Sequence, residues 1–147
     1  MHKIVPNSVG KLRSFCITVG LREGYDQTAK EYASDTVRTS ALGWMSQRAK
    51  RNEPFLTGTL RGGEVLYAYP KENGGAVECH EPAVEFSGLV STLYNATLTD
   101  DEVKEILNEL AEWLAASTNQ TRVYVCYCDE TWVLQREGSV TPRGDTV

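Results

Sequence analysis

Residues 99–117 of the chain are TDDEVKEILNELAEWLAAS, and they contain its clearest structural signal. Thr99 and Glu102 have the spacing of a helix capping box, and Leu98 with Val103 has the spacing of the hydrophobic staple that accompanies it. Apolar residues then recur at helical spacing on one face, namely Val103, Ile106, Leu107, Leu110 and Leu114. The pattern predicts an amphipathic helix that begins after Thr99 and ends near Ser117.

Strand patterns lie beyond this helix in both directions. Residues 122–136 are rich in Val and Tyr and predict an extended segment, in which Asp129-Glu130 is either a tight turn or the middle of one long strand. Residues 14–25 alternate between apolar and polar side chains, which predicts a half-buried strand. Its apolar side consists of Phe15, Ile17, Val19 and Leu21.

A second helix and a central pair of strands complete the pattern. Asp35 can cap a helix that runs to about residue 51, with an apolar stripe formed by Val37, Ala41, Leu42, Met45 and Ala49. Residues 55–70 predict two strands joined by a hairpin turn at Gly62-Gly63, and one long bulged strand is the alternative. Residues 72–75 predict a turn, and residues 83–93 predict a further extended segment.

The order of these elements predicts a two-layer α+β domain in which two helices cover an antiparallel sheet. It matches the ferredoxin-like split βαβ order, with long strands or an extra hairpin. Residues 13–137 are expected to form this single domain, between a flexible arm (residues 1–12) and a flexible tail (residues 138–147). The strands carry more aromatic residues than one helix layer can bury, which predicts a homodimer or homotrimer or a binding face. These aromatic residues are Tyr67, Tyr69, Tyr124, Tyr127 and Trp132.

Composition excludes several classes of protein. A net charge of −5 argues against a nucleic-acid-coating protein, whose affinity comes from excess basic charge. No apolar run is long enough to span a membrane, and the N-terminal residues lack a signal-peptide core, so a cytoplasmic location is expected. The spacing of the cysteines fits neither a disulfide scaffold nor a structural zinc site, so we expect reduced thiols, no metal and no cofactor. The four are Cys16, Cys79, Cys126 and Cys128.

Most enzyme motifs are absent from the sequence. It contains no nucleophile elbow, P-loop or dinucleotide fingerprint, and His80 is the one histidine placed to serve a catalytic relay. A carboxyl group held against an apolar sheet face could have a raised pKa and act as an acid or base. Glu64, Glu72, Glu78 and Glu85 lie on or near the central strands, and the sequence does not choose among them.

Arginines at the ends of predicted elements suggest a ligand site. Arg22, Arg48 and Arg122 have this position, and guanidinium groups bind phosphate and carboxylate by paired hydrogen bonds. Aromatic rings for stacking and an amide for base edges would complete a nucleotide pocket. The sequence therefore predicts a site for a small nucleotide-like ligand formed by Arg22, Trp44, Arg48, Phe86, Asn95 and Arg122. The alternative is that these arginines complement helix dipoles and that the aromatic residues are core.

In element order the chain resembles two groups of small phage proteins. Residues 86–95 followed by Arg122 resemble the residue types of the Thoeris anti-defence sponge family, whose oligomers sequester cyclic ADP-ribose signals without cleaving them. Leu21-Arg22 and residues 113–127 are similar in pattern to the phage S-adenosylmethionine lyases, which are trimers with sites between subunits. The first resemblance implies a sponge for an adenosine-containing nucleotide, our first hypothesis, and the second implies an enzyme that degrades S-adenosylmethionine. A structural or partner-binding oligomer is the third hypothesis.

Overall fold

A computed structural model describes residues 1–24 and 28–139. Their helices and strands are β1 (Ser14–Gly20), α1 (Ser34–Lys50), β2 (Thr59–Pro70), β3 (Ala76–Leu89), α2 (Asp100–Ser117), β4 (Arg122–Tyr127) and β5 (Glu130–Gln135). The strands form one antiparallel sheet in the order β2-β3-β1-β4-β5. This confirms the α+β prediction: the first four strands have the split βαβ arrangement, and β5 adds a hairpin at one edge.

Helix α2 has the predicted start and the predicted buried face. The Glu102 amide donates to Thr99 Oγ1 (3.1 Å), and the Thr99 amide donates to Glu102 Oε1 (3.2 Å), which completes the capping box. All five residues of its apolar stripe are buried, and Leu98 packs against the same core. Local capping and long-range packing therefore select the same helix.

Helix α1 differs from its prediction in both the cap and the stripe. It begins after Ala33 with no side-chain cap, and Asp35 instead pairs with Arg38 one turn later (2.5 Å). The buried positions are Val37, Ala41 and Trp44, whereas the predicted Leu42 is 59% exposed and the predicted Ala49 is also exposed. Trp44, the bulkiest side chain of the helix, therefore faces the core. Leu42 points away from the core because only one face of α1 is covered by the rest of the fold.

The hairpin predicted at Gly62-Gly63 is wrong. These glycines lie inside β2, which pairs with β3 without a bulge from Thr59 opposite Ser87 to Pro70 opposite Ala76. The turn lies at Gly74-Gly75, where both residues have positive φ (86° and 83°) that glycine adopts at little cost. Strand β3 accordingly starts at Ala76, earlier than the predicted residue 83, and ends at Leu89.

The β4–β5 turn and the two ends of the chain agree with their predictions only in part. A tight turn separates β4 from β5, as one alternative had it, but it is formed by Cys128 and Asp129, with Cys128 at φ 53°. Residues 1–12 contain no helix or strand, and Thr92 Oγ1 donates to the Ser8 carbonyl (2.6 Å). Most of the predicted tail, residues 140–147, and the predicted last residue of the first strand, residue 25, lie outside the described residues.

The two faces of the sheet have different surroundings. Both helices pack on one face, where Phe15, Ile17, Val125 and Tyr127 are buried. The other face, which we call the open face, has no helix of the described chain upon it and carries Tyr124, 45% exposed. Strands β2 and β3 continue past the end of β1 as a two-stranded ribbon of residues 64–70 and 76–82. None of the described helices is long and apolar enough to cross a membrane.

Candidate functional site

A small cleft lies on the open face where β1 ends and the ribbon begins. It has a volume of about 30 Å³. The strand register places Gly20 opposite Ala83 and Ala83 opposite Gly63, so small residues of three adjacent strands lie side by side at this end of β1. The residues that line the cleft are Thr18, Gly20, Gly24, Val65, Glu81, Gln120, Thr121, Arg122 and Tyr124.

Two side-chain oxygens converge over Gly20. A Cβ atom at this position would collide with Gln120 Oε1 and lie 2.9 Å from Glu81 Oε1. The Gln120 amide nitrogen donates to the carbonyls of Arg22 (2.8 Å) and Thr118 (3.1 Å), which holds its oxygen toward Glu81. The absence of a side chain at Gly20 is therefore what permits a carboxylate and an amide oxygen to share this space.

The electrostatics of the cleft centre on Glu81. Burial raises the pKa of the Glu81 carboxyl, and the nearby Arg22 guanidinium opposes that rise. The Arg22 side chain is only 7% exposed and is held by the His80 carbonyl (2.6 Å) and by Glu31 (2.7 Å). A charged, partly desolvated carboxylate gains free energy when a cation approaches it. With the Gln120 oxygen beside it, the cleft is suited to an ammonium or other cationic group.

The rim of the cleft adds positive charge and an aromatic ring. Arg122 lies at the start of β4, and its Nε donates to Gln135 Oε1 on the neighbouring strand (2.5 Å). Tyr124 follows two residues later on the same face. The cleft thus combines a carboxylate and an amide oxygen with a guanidinium and a ring, which is the chemistry that a zwitterionic ligand with an aromatic group needs.

The six residues predicted from the sequence are not gathered at one pocket. Arg122 lines the cleft and Arg22 lies beside Glu81, so the structure brings these two to one end of the sheet. Phe86 is a core residue on the helix-covered face, with its ring 5.8 Å from that of Phe15. The single six-residue pocket expected from the sequence is not formed, because strand alternation directs Phe86 away from the cleft.

The other three predicted residues lie on α1 and in the loop that precedes α2. Arg48 stacks over the Trp44 ring (5.2 Å) and binds the Pro54 carbonyl and Glu109, each at 2.6 Å. The Asn95 amide donates to the Phe55 carbonyl (3.0 Å). Arg48 and Arg22 are both largely covered, because each binds groups that belong to another segment of the fold. A ligand-binding role for the six residues stays a prediction.

Larger cavities lie elsewhere among the described residues, and one of them, of about 400 Å³, lies beside Asn95. Two others are larger still. One of about 500 Å³ lies between the N-terminal arm and the start of α2, and one of about 520 Å³ lies between the end of α2 and the β4–β5 hairpin. In the first, Asp100 already accepts from the Tyr127 hydroxyl (2.5 Å), which lowers the pKa of the Asp100 carboxyl. In the second, Arg136 donates to Asn119 (2.8 Å). The small cleft is the candidate functional site because opposed charges converge there around a partly desolvated carboxylate.

Metal ligands do not cluster in the part of the chain that the structure describes. No group of three His, Cys, Asp or Glu side chains there could hold a metal ion. Cys79 is buried on the ribbon, whereas Cys126 and Cys128 are exposed near the opposite edge of the sheet. The metal-free state predicted from the sequence stays a prediction that elemental analysis can test.

Comparison with known proteins finds solved structures that have the same fold. No protein-family model matches the chain, and no curated protein matches it. A phage SAM lyase in complex with S-methyl-5′-thioadenosine matches at a TM-score of 0.62 and 15% identity, over 93% of this chain and 99% of that one. A phage SAM lyase in the apo state matches at 0.56 and 14%, over 86% and 91%. The chain therefore shares the fold of phage SAM lyase along nearly its whole length.

Proposed function

We propose that this protein is an S-adenosylmethionine lyase that releases S-methyl-5′-thioadenosine, with its site at the cleft between Glu81 and Arg122. The fold it shares with a phage SAM lyase, itself bound to S-methyl-5′-thioadenosine, supports this proposal. The sponge hypothesis has no such support. The observation that carries the proposal within the molecule is the convergence of the Glu81 and Gln120 oxygens over Gly20.

The charges of the cleft complement those of the proposed substrate. S-adenosylmethionine has an α-ammonium, a carboxylate and a sulfonium, so its amino-acid end is a zwitterion beside a further cation. Glu81 and Gln120 offer two oxygens to the ammonium, and Arg122 places positive charge at the rim for the carboxylate. Tyr124, partly exposed, provides a ring against which the adenine can stack.

The proposed reaction needs no external nucleophile. One oxygen of the substrate carboxylate attacks the substrate's own Cγ, the Cγ–S bond breaks, and its electron pair returns to sulfur. The products are S-methyl-5′-thioadenosine and a lactone of the remaining four-carbon amino acid, with no water consumed and no proton transferred. The protein's contribution is to hold the carboxylate behind Cγ in line with sulfur, since positioning alone can supply a large part of such a barrier.

The cleft is too small to enclose the whole substrate. A cavity of about 30 Å³ accepts one small group, so we propose that the ammonium enters it while the rest of the molecule lies over the open face against a second copy of the chain. This agrees with the predicted homodimer or homotrimer. Sedimentation at tens of micromolar should then give a species above 16.3 kDa, and a monomer would remove the shared site.

Product analysis distinguishes lyase from sponge. We expect incubation with S-adenosylmethionine to yield many equivalents of S-methyl-5′-thioadenosine per chain, detected by chromatography. Reaction in ¹⁸O-labelled water should give lactone without label when the mixture is quenched early, because the ring oxygen comes from the substrate. Recovery of unchanged S-adenosylmethionine after denaturation would contradict the lyase and favour a binding protein, and a labelled acid as the first product would contradict the internal attack.

A further inference from the structure

Cys16 and Cys126 lie directly opposite each other on the open face. The register of β1 and β4 pairs Cys16 with Cys126, one position from the pair formed by Phe15 and Tyr127. Phe15 and Tyr127 are buried under the helices. Because successive side chains of a strand alternate between faces, both cysteines project from the other side of the sheet.

The ladder geometry brings the two cysteines within disulfide range. The Cys128 amide donates to the Ser14 carbonyl (2.9 Å), which makes the pair of Ser14 and Cys128 a hydrogen-bonded pair. Every second pair along an antiparallel ladder is of this kind, so Cys16 and Cys126 form the next one, with Cα atoms about 5.5 Å apart. Disulfides span Cα separations of about 4.4–6.8 Å. Disulfides also prefer Cβ separations of about 3.5–4.5 Å, whereas directly opposed Cβ atoms in a sheet lie about 4.5–5.5 Å apart. The two strands must therefore approach slightly for the sulfurs to bond, and the resulting strain makes the bond easy to reduce again.

The surroundings of the two thiols differ. Cys126 is exposed, and its sulfur lies 3.5 Å from Thr131 Oγ1, whereas Cys16 is half-buried. Burial and the Glu85 carboxylate raise the pKa of the Cys16 thiol, which reduces the fraction present as the reactive thiolate. A dissolved disulfide would thus meet Cys126 first, and Cys16 would react second as the resolving thiol.

We propose that Cys16 and Cys126 form a site of reversible oxidation that closes as an intramolecular disulfide when the protein meets glutathione disulfide. In the first step the Cys126 thiolate attacks one sulfur of glutathione disulfide, which forms a mixed disulfide and releases one glutathione. In the second step the Cys16 thiolate attacks the Cys126 sulfur and releases the second glutathione. Two protein thiols are oxidised, one glutathione disulfide is reduced, and the two thiol protons end on the two released glutathione thiolates.

The test is covalent mapping of the full chain, and it does not depend on the proposed lyase activity. We expect glutathione disulfide, followed by an alkylating quench and trypsin, to give a linked peptide pair that contains residues 14–22 and 123–136 and disappears on reduction. The oxidised chain should remain unlinked to other chains on a non-reducing gel. Cys128 lies on the same tryptic peptide as Cys126, so Cys128→Ser is the matched control and should keep the link.

Three results would overturn the proposal. One is a linked peptide that persists in Cys126→Ser, because the bond would then join a different pair. Another is a stable glutathione adduct on Cys126 with Cys16 still free to alkylate. The last is a chain that stays fully alkylated after glutathione disulfide treatment. Cys16→Ser provides the complementary result: it should stop at the mixed disulfide, since no resolving thiol lies opposite Cys126.

Discussion

The two faces of the sheet are made by the same strands but hold side chains of different kinds. On the helix-covered face, Val125 and Tyr127 meet the apolar stripe of α2, and their positions depend on shape and apolar area. On the open face, Thr18, Glu81 and Arg122 line one cleft, and the missing side chain of Gly20 leaves room for the oxygens of Glu81 and Gln120. The covered face therefore stabilises the fold, whereas the open face keeps a partly desolvated carboxylate that costs stability and to which we assign, as a proposal, the binding of the ligand.

The largest expected effect lies on the covered face. Leu110 on α2 is fully buried, so Leu110→Ala should lower the free energy of unfolding by about 2–5 kcal/mol. The matched control is Leu42→Ala on α1, which removes the same atoms from a side chain that is 59% exposed and should change stability by about 0.5 kcal/mol or less. Urea denaturation followed by circular dichroism measures both. Equal losses of unfolding free energy in the two variants would contradict the assignment of Leu110 to the core and of Leu42 to the surface.

A second substitution tests the contact between the end of β1 and the ribbon. Arg22→Ala removes the bonds to the His80 carbonyl and Glu31 that join the end of β1 to the ribbon. Hydrogen bonds of charged groups that are this well covered contribute about 1.5–3 kcal/mol, so the variant should melt earlier. Arg38→Ala, whose ion pair with Asp35 is exposed, should leave the melting temperature almost unchanged. A wild-type melting temperature for Arg22→Ala would show that Arg22 does not anchor the ribbon.

The capping box of α2 should have a smaller effect. Thr99→Ala leaves the Glu102 amide without its side-chain acceptor and should cost about 1 kcal/mol. Thr99→Ser keeps the hydroxyl and serves as the control. Both are measured by urea denaturation, and an equal loss in the two variants would assign the effect to the methyl group instead of the cap.

The smallest expected effect is a gain in stability, and it concerns Glu81 on the open face. The pKa of Glu81 is higher in the folded protein than in the unfolded chain, so the folded state binds more protons between those two pKa values and loses stability as the pH rises through them. Glu81→Gln should therefore be slightly more stable than the wild type at neutral pH, and this gain should fade as the pH falls toward 4. Thermal melts across that range check the sign, and a variant that is less stable at pH 7 would contradict a desolvation penalty.

The covered face could be predicted from the sequence because its signals are local. The capping box and stripe of α2 and the alternation of Phe15, Ile17 and Val19 each lie within one element. A hairpin at Gly62-Gly63 was predicted in addition to the turn at residues 72–75 because Gly62-Gly63 and Gly74-Gly75 are alike as dipeptides. Only the pairing of β2 with β3 shows that Gly62-Gly63 lies within a strand.

The cleft could not be predicted in the same way. Glu81 was missed among the carboxylates considered, although it has the same strand parity as Glu85, because its partners Gln120 and Gly20 lie far away in sequence. Arg122 was identified from its position at the start of a strand, which is a local signal. Trp44, Arg48 and Asn95 gave equally good local signals and are used in packing and bonding within the helix layer. Residue type alone does not separate these two uses.

The steady-state rate of S-methyl-5′-thioadenosine formation by two variants tests the central claim most directly. Glu81→Gln and Glu78→Gln each remove one carboxylate from β3, but Glu81 lines the cleft, whereas Glu78 is exposed and lies on the other face of the ribbon. We expect Glu81→Gln to lose about ten- to a hundredfold in kcat/KM, the value of one charge-assisted hydrogen bond. Glu78→Gln should stay within about twofold of the wild type, since an exposed charge away from the ligand contributes little. Equal kcat/KM values for Glu81→Gln and the wild type would contradict the claim that the cleft is the site of the reaction.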